Sequence, residues 1–235
     1  MVSVPPVVVQ PSLARAWGLV LALGLVALAA TLAANELIST RFADAPRPED
    51  LLFQVLPYVR PARWLTLVAL VGGLGVLLVD LGRRVGLAVG LPHAAGAFAL
   101  MYLLRAGIMV LTPLAPSQGE GPFIFTTQQF GMFPSGHVGA MTLLVLLAGG
   151  APAWVRRAQW VMLATMVAVL LLARGHYSID VVGGLLLGYA VWTAWRTWPV
   201  LAPLARQLAT PPHSTGSVAS SGASGVSSEG PASKS

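Results

Sequence analysis

His176 and Asp180 are four residues apart in Arg174-Gly175-His176-Tyr177-Ser178-Ile179-Asp180, and a second histidine closes the upstream stretch Phe133-Pro134-Ser135-Gly136-His137. Residues spaced by four share one face of a helix, one turn apart. On that spacing Asp180 accepts a hydrogen bond from one ring nitrogen of His176, which fixes the tautomer and leaves the other nitrogen's lone pair free. An imidazole held in this way can attack phosphorus and form a phosphohistidine. His137 is then the candidate acid that protonates the leaving oxygen. Arg105, the backbone amides around Ser135 and Gly136, and Arg174 are the candidates for stabilising charge on the phosphoryl oxygens. Two histidines and an aspartate are also zinc-ligand types, but an acid at i+4 suits a hydrogen bond to the histidine at least as well. No metal or cofactor is required.

The rest of the chain is almost entirely hydrocarbon. Of its 235 residues 56% are hydrophobic and 9% charged, with a mean hydropathy of +0.76, whereas a soluble domain carries about 25% charged residues. That composition is that of a polytopic membrane protein, in which ionisable groups are costly and a cluster of them marks a functional site. The net charge of +6 and pI near 10.8 raise nucleic acid as a partner. The arginines, however, come as isolated pairs between apolar runs, with no basic stripe, so nucleic-acid binding is excluded and the positive-inside rule is the better account. With no cysteine in the chain, disulfides and thiolate metal sites are excluded as well.

Apolar runs fall at 17–38, 62–82, 90–114, 136–155, 157–174 and 178–200, each near the length that spans a bilayer. The expected fold class is all-α: six transmembrane helices in a bundle, with a cytoplasmic segment over 1–16, the helical domain over 17–207 and a disordered Ser/Gly/Pro-rich tail over 208–235. Arg15, Arg83-Arg84, Arg156-Arg157 and Arg206 share one side if the N-terminus is inside; Arg41, Arg47, Arg60 and Arg63 stand against this orientation. Trp64, Trp154, Trp160 and Trp198 fall near span ends. The first run resembles a signal peptide around Ala27-Leu28-Ala29 but continues to Ala34, which favours a retained anchor. In the long first loop, Leu51-Leu52-Phe53-Gln54-Val55-Leu56 is too short to span and is expected at the interface or folded back toward the site.

On this topology the fourth span starts after Pro134-Ser135-Gly136 and the sixth near Tyr177-Ser178, both from the outer face, while the third places Arg105 in its outer half. Two helix N-termini and an arginine meet there, which makes an anion site facing outward. The other polar residues have plainer readings. Asp80 with Arg83 and Arg84 reads as a terminal ion pair, His93 as an inner-interface residue, Glu120 as solvated and His213 as part of the tail. Gly184-x-x-x-Gly188 and Gly72-Gly73-x-Gly75 read as close helix-packing surfaces. Phe123, Phe125, Phe130 and Phe133 are expected to pack their loop against lipid.

Pro134-Ser135-Gly136-His137 together with His176-Tyr177-Ser178-Ile179-Asp180-Val181 resembles the second and third motifs of the type-2 phosphatidic acid phosphatase superfamily. The resemblance implies a six-helix membrane enzyme with His176 as nucleophile, Asp180 supporting it and His137 as acid. Two departures stand out. The superfamily's first motif, a Lys and an Arg-Pro, has as its nearest counterpart Arg41 with Arg47-Pro48, and Leu170 stands where an arginine precedes the third motif. The sphingomyelin synthase-like branch is similar in lacking those basic residues. Met101-Tyr102-Leu103-Leu104-Arg105 with Thr112-Pro113-Leu114, and Pro46, Pro48 and Asp50-Leu51, resemble its further motifs. The expected function is transfer of a phospho-head group from a phospholipid to a lipid hydroxyl or to water, in a bacterial-type plasma membrane. The alternatives are a broad lipid phosphate phosphatase and a non-catalytic lipid-binding or transport component. Fewer cations suit a less charged diester, which favours transfer over monoester hydrolysis.

Overall fold

The computed structural model describes residues 13–42, 44–117, 132–199, 201–202 and 205–206. Every regular element among them is helical: α1 Leu13–Arg41, α2 Leu51–Val55, α3 Trp64–Arg84, α4 Leu87–Leu111, α5 Gly136–Leu147, α6 Ala153–Leu172 and α7 Ser178–Thr197. Short 3-10 turns at Arg60–Arg63 and Ala148–Gly150 precede α3 and follow α5. The expected all-α bundle is what forms. The Ser/Gly/Pro-rich tail, Glu120, Phe123, Phe125, Phe130 and His213 lie outside the described residues.

Five helices, α1, α3 (with its 3-10 turn), α4, α6 and α7, are long and apolar enough to cross a membrane. Their outward faces carry Leu25, Leu28, Val71, Val161 and Leu186, each more than half exposed, a surface that water disfavours and lipid tails accept. The helix on the fourth apolar run differs from expectation. It ends at Leu147, and with its 3-10 turn reaches only Gly150 rather than Val155. Gly149, Gly150 and Pro152 explain the stop, since glycine and proline both disfavour continuation. At 1.5 Å per residue, Gly136–Gly150 is about 22 Å long against a hydrocarbon layer of about 30 Å.

This short helix is the centre of the molecule. Nine of the twelve residues of α5 are buried, as a helix that is apolar all round requires. Met141 and Leu144 join Leu77 of α3 with Met166 and Leu170 of α6 on one side. Ala140 and Leu143 join Met101 of α4 with Leu187, Val191 and Trp195 of α7 on the other. α1 lies at the periphery, held to α4 through Ala34, Ile38, Ala106 and Met109.

The chain alternates between two ends. At one end, Val59 N–H donates to Leu172 O (2.8 Å), Ala115 N–H to Pro46 O (3.3 Å) and Ser117 Oγ to Arg174 O (2.6 Å), so the first loop is folded back over the α4–α5 and α6–α7 connections. At the other end, Asp80 of α3 pairs with Arg84, Arg156 donates to Ala151 O (2.6 Å), and His93 Nδ1 meets Ala205 O (3.1 Å).

Candidate active site

The turn before α5 is built by its own residues and then clamped from two sides. Ser135 is the N-cap, and its Oγ accepts from Val138 N–H (3.3 Å), which satisfies one of the amides that a helix start leaves without a partner. Ser135 N–H donates to Asp180 O of α7 (3.0 Å), and Arg105 Nε of α4 donates to Pro134 O (2.8 Å). Gly136 lets the arginine close in, because a Cβ there would lie 3.2 Å from Arg105 Nε. Arg105, Ser135, Gly136 and His137 are thus brought together at the N-terminus of α5, where the helix dipole favours an anion. Phe133 is half-buried and packs against α7. Its ring fills the space over Gly183, where a Cβ would lie 2.5 Å from it.

The second half corrects one detail of the sequence reading. His176 and Asp180 do not share a helical face, because α7 begins at Ser178 and His176 lies in the bend before it. Asp180 is the third residue of α7 and reaches back. Its Oδ2 accepts from Tyr177 N–H (3.0 Å) and from His176 Nδ1 (3.1 Å). One carboxylate oxygen therefore caps the helix and orients the imidazole. Both residues are buried, at 5% and 0% exposure, so the pair is shielded from water. With Nδ1–H given to Asp180, Nε2 carries the free lone pair. The His137 ring stands edge-on to that of His176, 5.8 Å between centroids. Asp180 Oδ1 is buried with no hydrogen-bond partner among the described residues.

Arg174 goes elsewhere. It has a φ of 51°, and its guanidinium donates from Nη2 to Phe53 O (3.0 Å) and lies over the Phe53 and Tyr58 rings at 5.5 and 5.3 Å. Phe53 also stacks on Tyr177, 5.9 Å between centroids. Burial first, then Asp180 and Asp50 against an opposing Arg47, push the Tyr177 phenol above its ordinary pKa, so its hydroxyl stays protonated and donates to Pro116 O (3.4 Å). A cavity of about 300 Å³ opens between Arg47, Asp50, Phe53, Gln54, Arg174 and Tyr177.

Asp50 was not among the site residues read from the sequence. Its Oδ1 accepts from Leu52 N–H (2.9 Å), starting α2, and its Oδ2 accepts from Ser178 N–H (2.5 Å), at the start of α7. The one available signal was its place after Pro46 and Pro48. Leu170, where the superfamily has an arginine, is fully buried among apolar side chains. Among the described residues, no three His, Cys, Asp or Glu side chains cluster as a metal site would require.

Residues 132–197, from the turn before α5 to the end of α7, match the family model described as PAP2 superfamily C-terminal. The match takes in His137, Arg174, His176 and Asp180 and leaves Arg105 and the first loop outside. It supports the resemblance at the level of the superfamily and does not separate its branches. Comparison with curated proteins gave no match.

Proposed function

We propose that the chain is an integral membrane lipid phosphotransferase of the sphingomyelin synthase-like type, with a phosphohistidine on His176 as intermediate. The observation that carries this reading is the buried His176–Asp180 pair, Nδ1 to Oδ2 3.1 Å, beside His137 at a helix start braced by Arg105. The match to a superfamily of phosphatases and phosphotransferases supports the reaction class.

The reaction has two steps. Nε2 of His176 attacks the phosphorus of a phospholipid, forming a P–N bond as the P–O bond to the glyceride oxygen breaks, and His137 passes its proton to that oxygen. An acceptor hydroxyl, from a lipid or from water, then gives its proton to His137 and attacks phosphorus, breaking the P–N bond. Asp180 stabilises the imidazole while it carries positive charge. Arg105, Ser135 and the first amides of α5 stabilise charge on the non-bridging oxygens. Arg174 contributes through the first loop. The N-terminus lies inside, so the site faces outward, and the substrate arrives from the adjoining leaflet.

The test offers the purified protein labelled phosphatidic acid, phosphatidylcholine and similar diesters, with and without ceramide or diacylglycerol, and separates the products. Labelled head group on the acceptor is the expected outcome, lost in His176→Ala. Free phosphate from phosphatidic acid with no reaction of any diester would establish a phosphatase instead. Full activity in His176→Ala would end the catalytic reading altogether.

A further inference from the structure

We infer that Asp50 is a positioning residue for the His176–Asp180 pair, holding the first turn of α7 from the loop between α1 and α3. The inference rests on the catalytic reading above. A helix start needs acceptors for its first amides, and the residue that precedes α7 cannot supply one for Ser178. Its side chain is a rigid phenol directed at Pro116, and Asp180 Oδ2 reaches back past Ser178 to Tyr177 N–H and His176 Nδ1. The missing acceptor comes from Asp50, whose Oδ2 takes Ser178 N–H while Oδ1 takes Leu52 N–H. One carboxylate thus starts two helices that are far apart in sequence.

The surroundings show that this is a built contact. Asp50 is 8% exposed although Pro46 to Glu49 before it are exposed. A carboxylate at the N-terminus of α7 also meets the positive end of its dipole. The α2 segment that Asp50 begins is tied to both flanks of His176, to Arg174 through Phe53 O and to Tyr177 through the Phe53 ring. Ser178 and Asp180 are the first and third residues of the same turn. Displacing Ser178 therefore swings the Asp180 carboxylate, and the 3.1 Å contact to His176 Nδ1 leaves little distance to lose. Asp50 acts on the imidazole only through this backbone.

The experiment uses the full-length protein in lipid nanodiscs, with Asp50→Ala, Asp50→Asn, Ser178→Pro and the double variant Asp50→Ala/Ser178→Pro. Ser178→Pro removes the amide that Asp50 holds. Proline suits the first helical position, and Tyr177 already has the extended backbone (ψ 156°) that a following proline requires. Two readouts are taken: kcat and KM on the labelled phospholipid panel, and the ring-nitrogen resonances of His176 in protein with ¹⁵N-labelled histidine, assigned by their loss in His176→Ala. Asp50→Ala is expected to lower kcat about 10- to 100-fold, the scale of a misplaced catalytic group. KM should change by less than about twofold, because ground-state binding is untouched. The His176 resonances should move, and Asp50→Asn, which keeps one acceptor oxygen, should fall between. On the Ser178→Pro background, Asp50→Ala should add at most about a twofold further loss, the non-additivity of two groups acting through one bond. Wild-type kcat and unmoved His176 resonances in Asp50→Ala, or fully additive losses in the cycle, would overturn the inference. If Asp50→Ala does not fold, Asp50→Asn and Ser178→Pro carry the same two readouts. If the wild type turns over none of the lipids, the phosphotransfer reading alone fails, and the resonances decide the positioning role.

Discussion

A single oxygen, Asp180 Oδ2, both caps α7 and holds the His176 imidazole. Asp180→Asn keeps nearly the same shape but replaces the shared acceptor with a carboxamide, whose NH2 can face Nδ1 and impose the wrong tautomer. The expected result is a fall in kcat of about 10³- to 10⁴-fold with the protein still folded, measured by turnover beside thermal unfolding in detergent. The residue types at 176, 180 and 137 made these three positions stand out in the sequence as candidates, because few other ionisable groups lie in the chain. Their local geometry was not readable. A spacing of four is the same whether two residues share a helical turn or one caps the helix that the other precedes. Arg174 shows the same limit, since its left-handed backbone turns a residue two positions from His176 toward Phe53 and Tyr58. Asp50 could be noticed beside Pro46 and Pro48, but its contact with Ser178 was beyond reach because the two are brought together only by the fold.

At the scale of elements, the site depends on how closely α5 and α7 approach. Gly184 is the point of contact: a Cβ there would lie 2.7 Å from Ser135 O and 2.8 Å from Val138 Cβ. Gly184→Ala should therefore push the start of α5 away and cost about 1–3 kcal/mol, as overpacking does, with a parallel loss of activity. Gly75 of α3 has nothing within 4 Å of the same position. Gly75→Ala should be neutral or stabilising by about 0.5–1 kcal/mol, from the entropy a helical glycine loses. Thermal unfolding of both variants in one detergent makes the comparison. The sequence reading of Gly184-x-x-x-Gly188 as a packing surface agrees with this contact. Its reading of the fourth span as full length gave too little weight to Gly149, Gly150 and Pro152, the signals that end α5.

For the whole molecule, the orientation proposed above rests on the alternation of helices and on Arg83, Arg84, Arg156 and Arg157, which lie toward the end opposite the site. The cysteine-free chain makes the orientation testable with single introduced thiols. Leu51 at the site end is 71% exposed, and Gly149 at the other end is exposed with open space around its Cβ position. In sealed right-side-out vesicles, a membrane-impermeant maleimide should label Leu51→Cys directly and Gly149→Cys only after permeabilisation. The reverse pattern would turn the site toward the cytoplasm.

The shortness of α5 has a kinetic consequence. Ser135 meets α7 both at Asp180 O and at Gly184, so α5 begins about 3–9 Å below the first residue of α7. On the proposed reading, the histidines then meet a substrate that is already dissolved in the membrane. The concentration that enters the rate law is the mole fraction of substrate in one leaflet. Inert lipid slows such an enzyme, whereas added buffer does not, and each turnover changes the composition of one face of the bilayer.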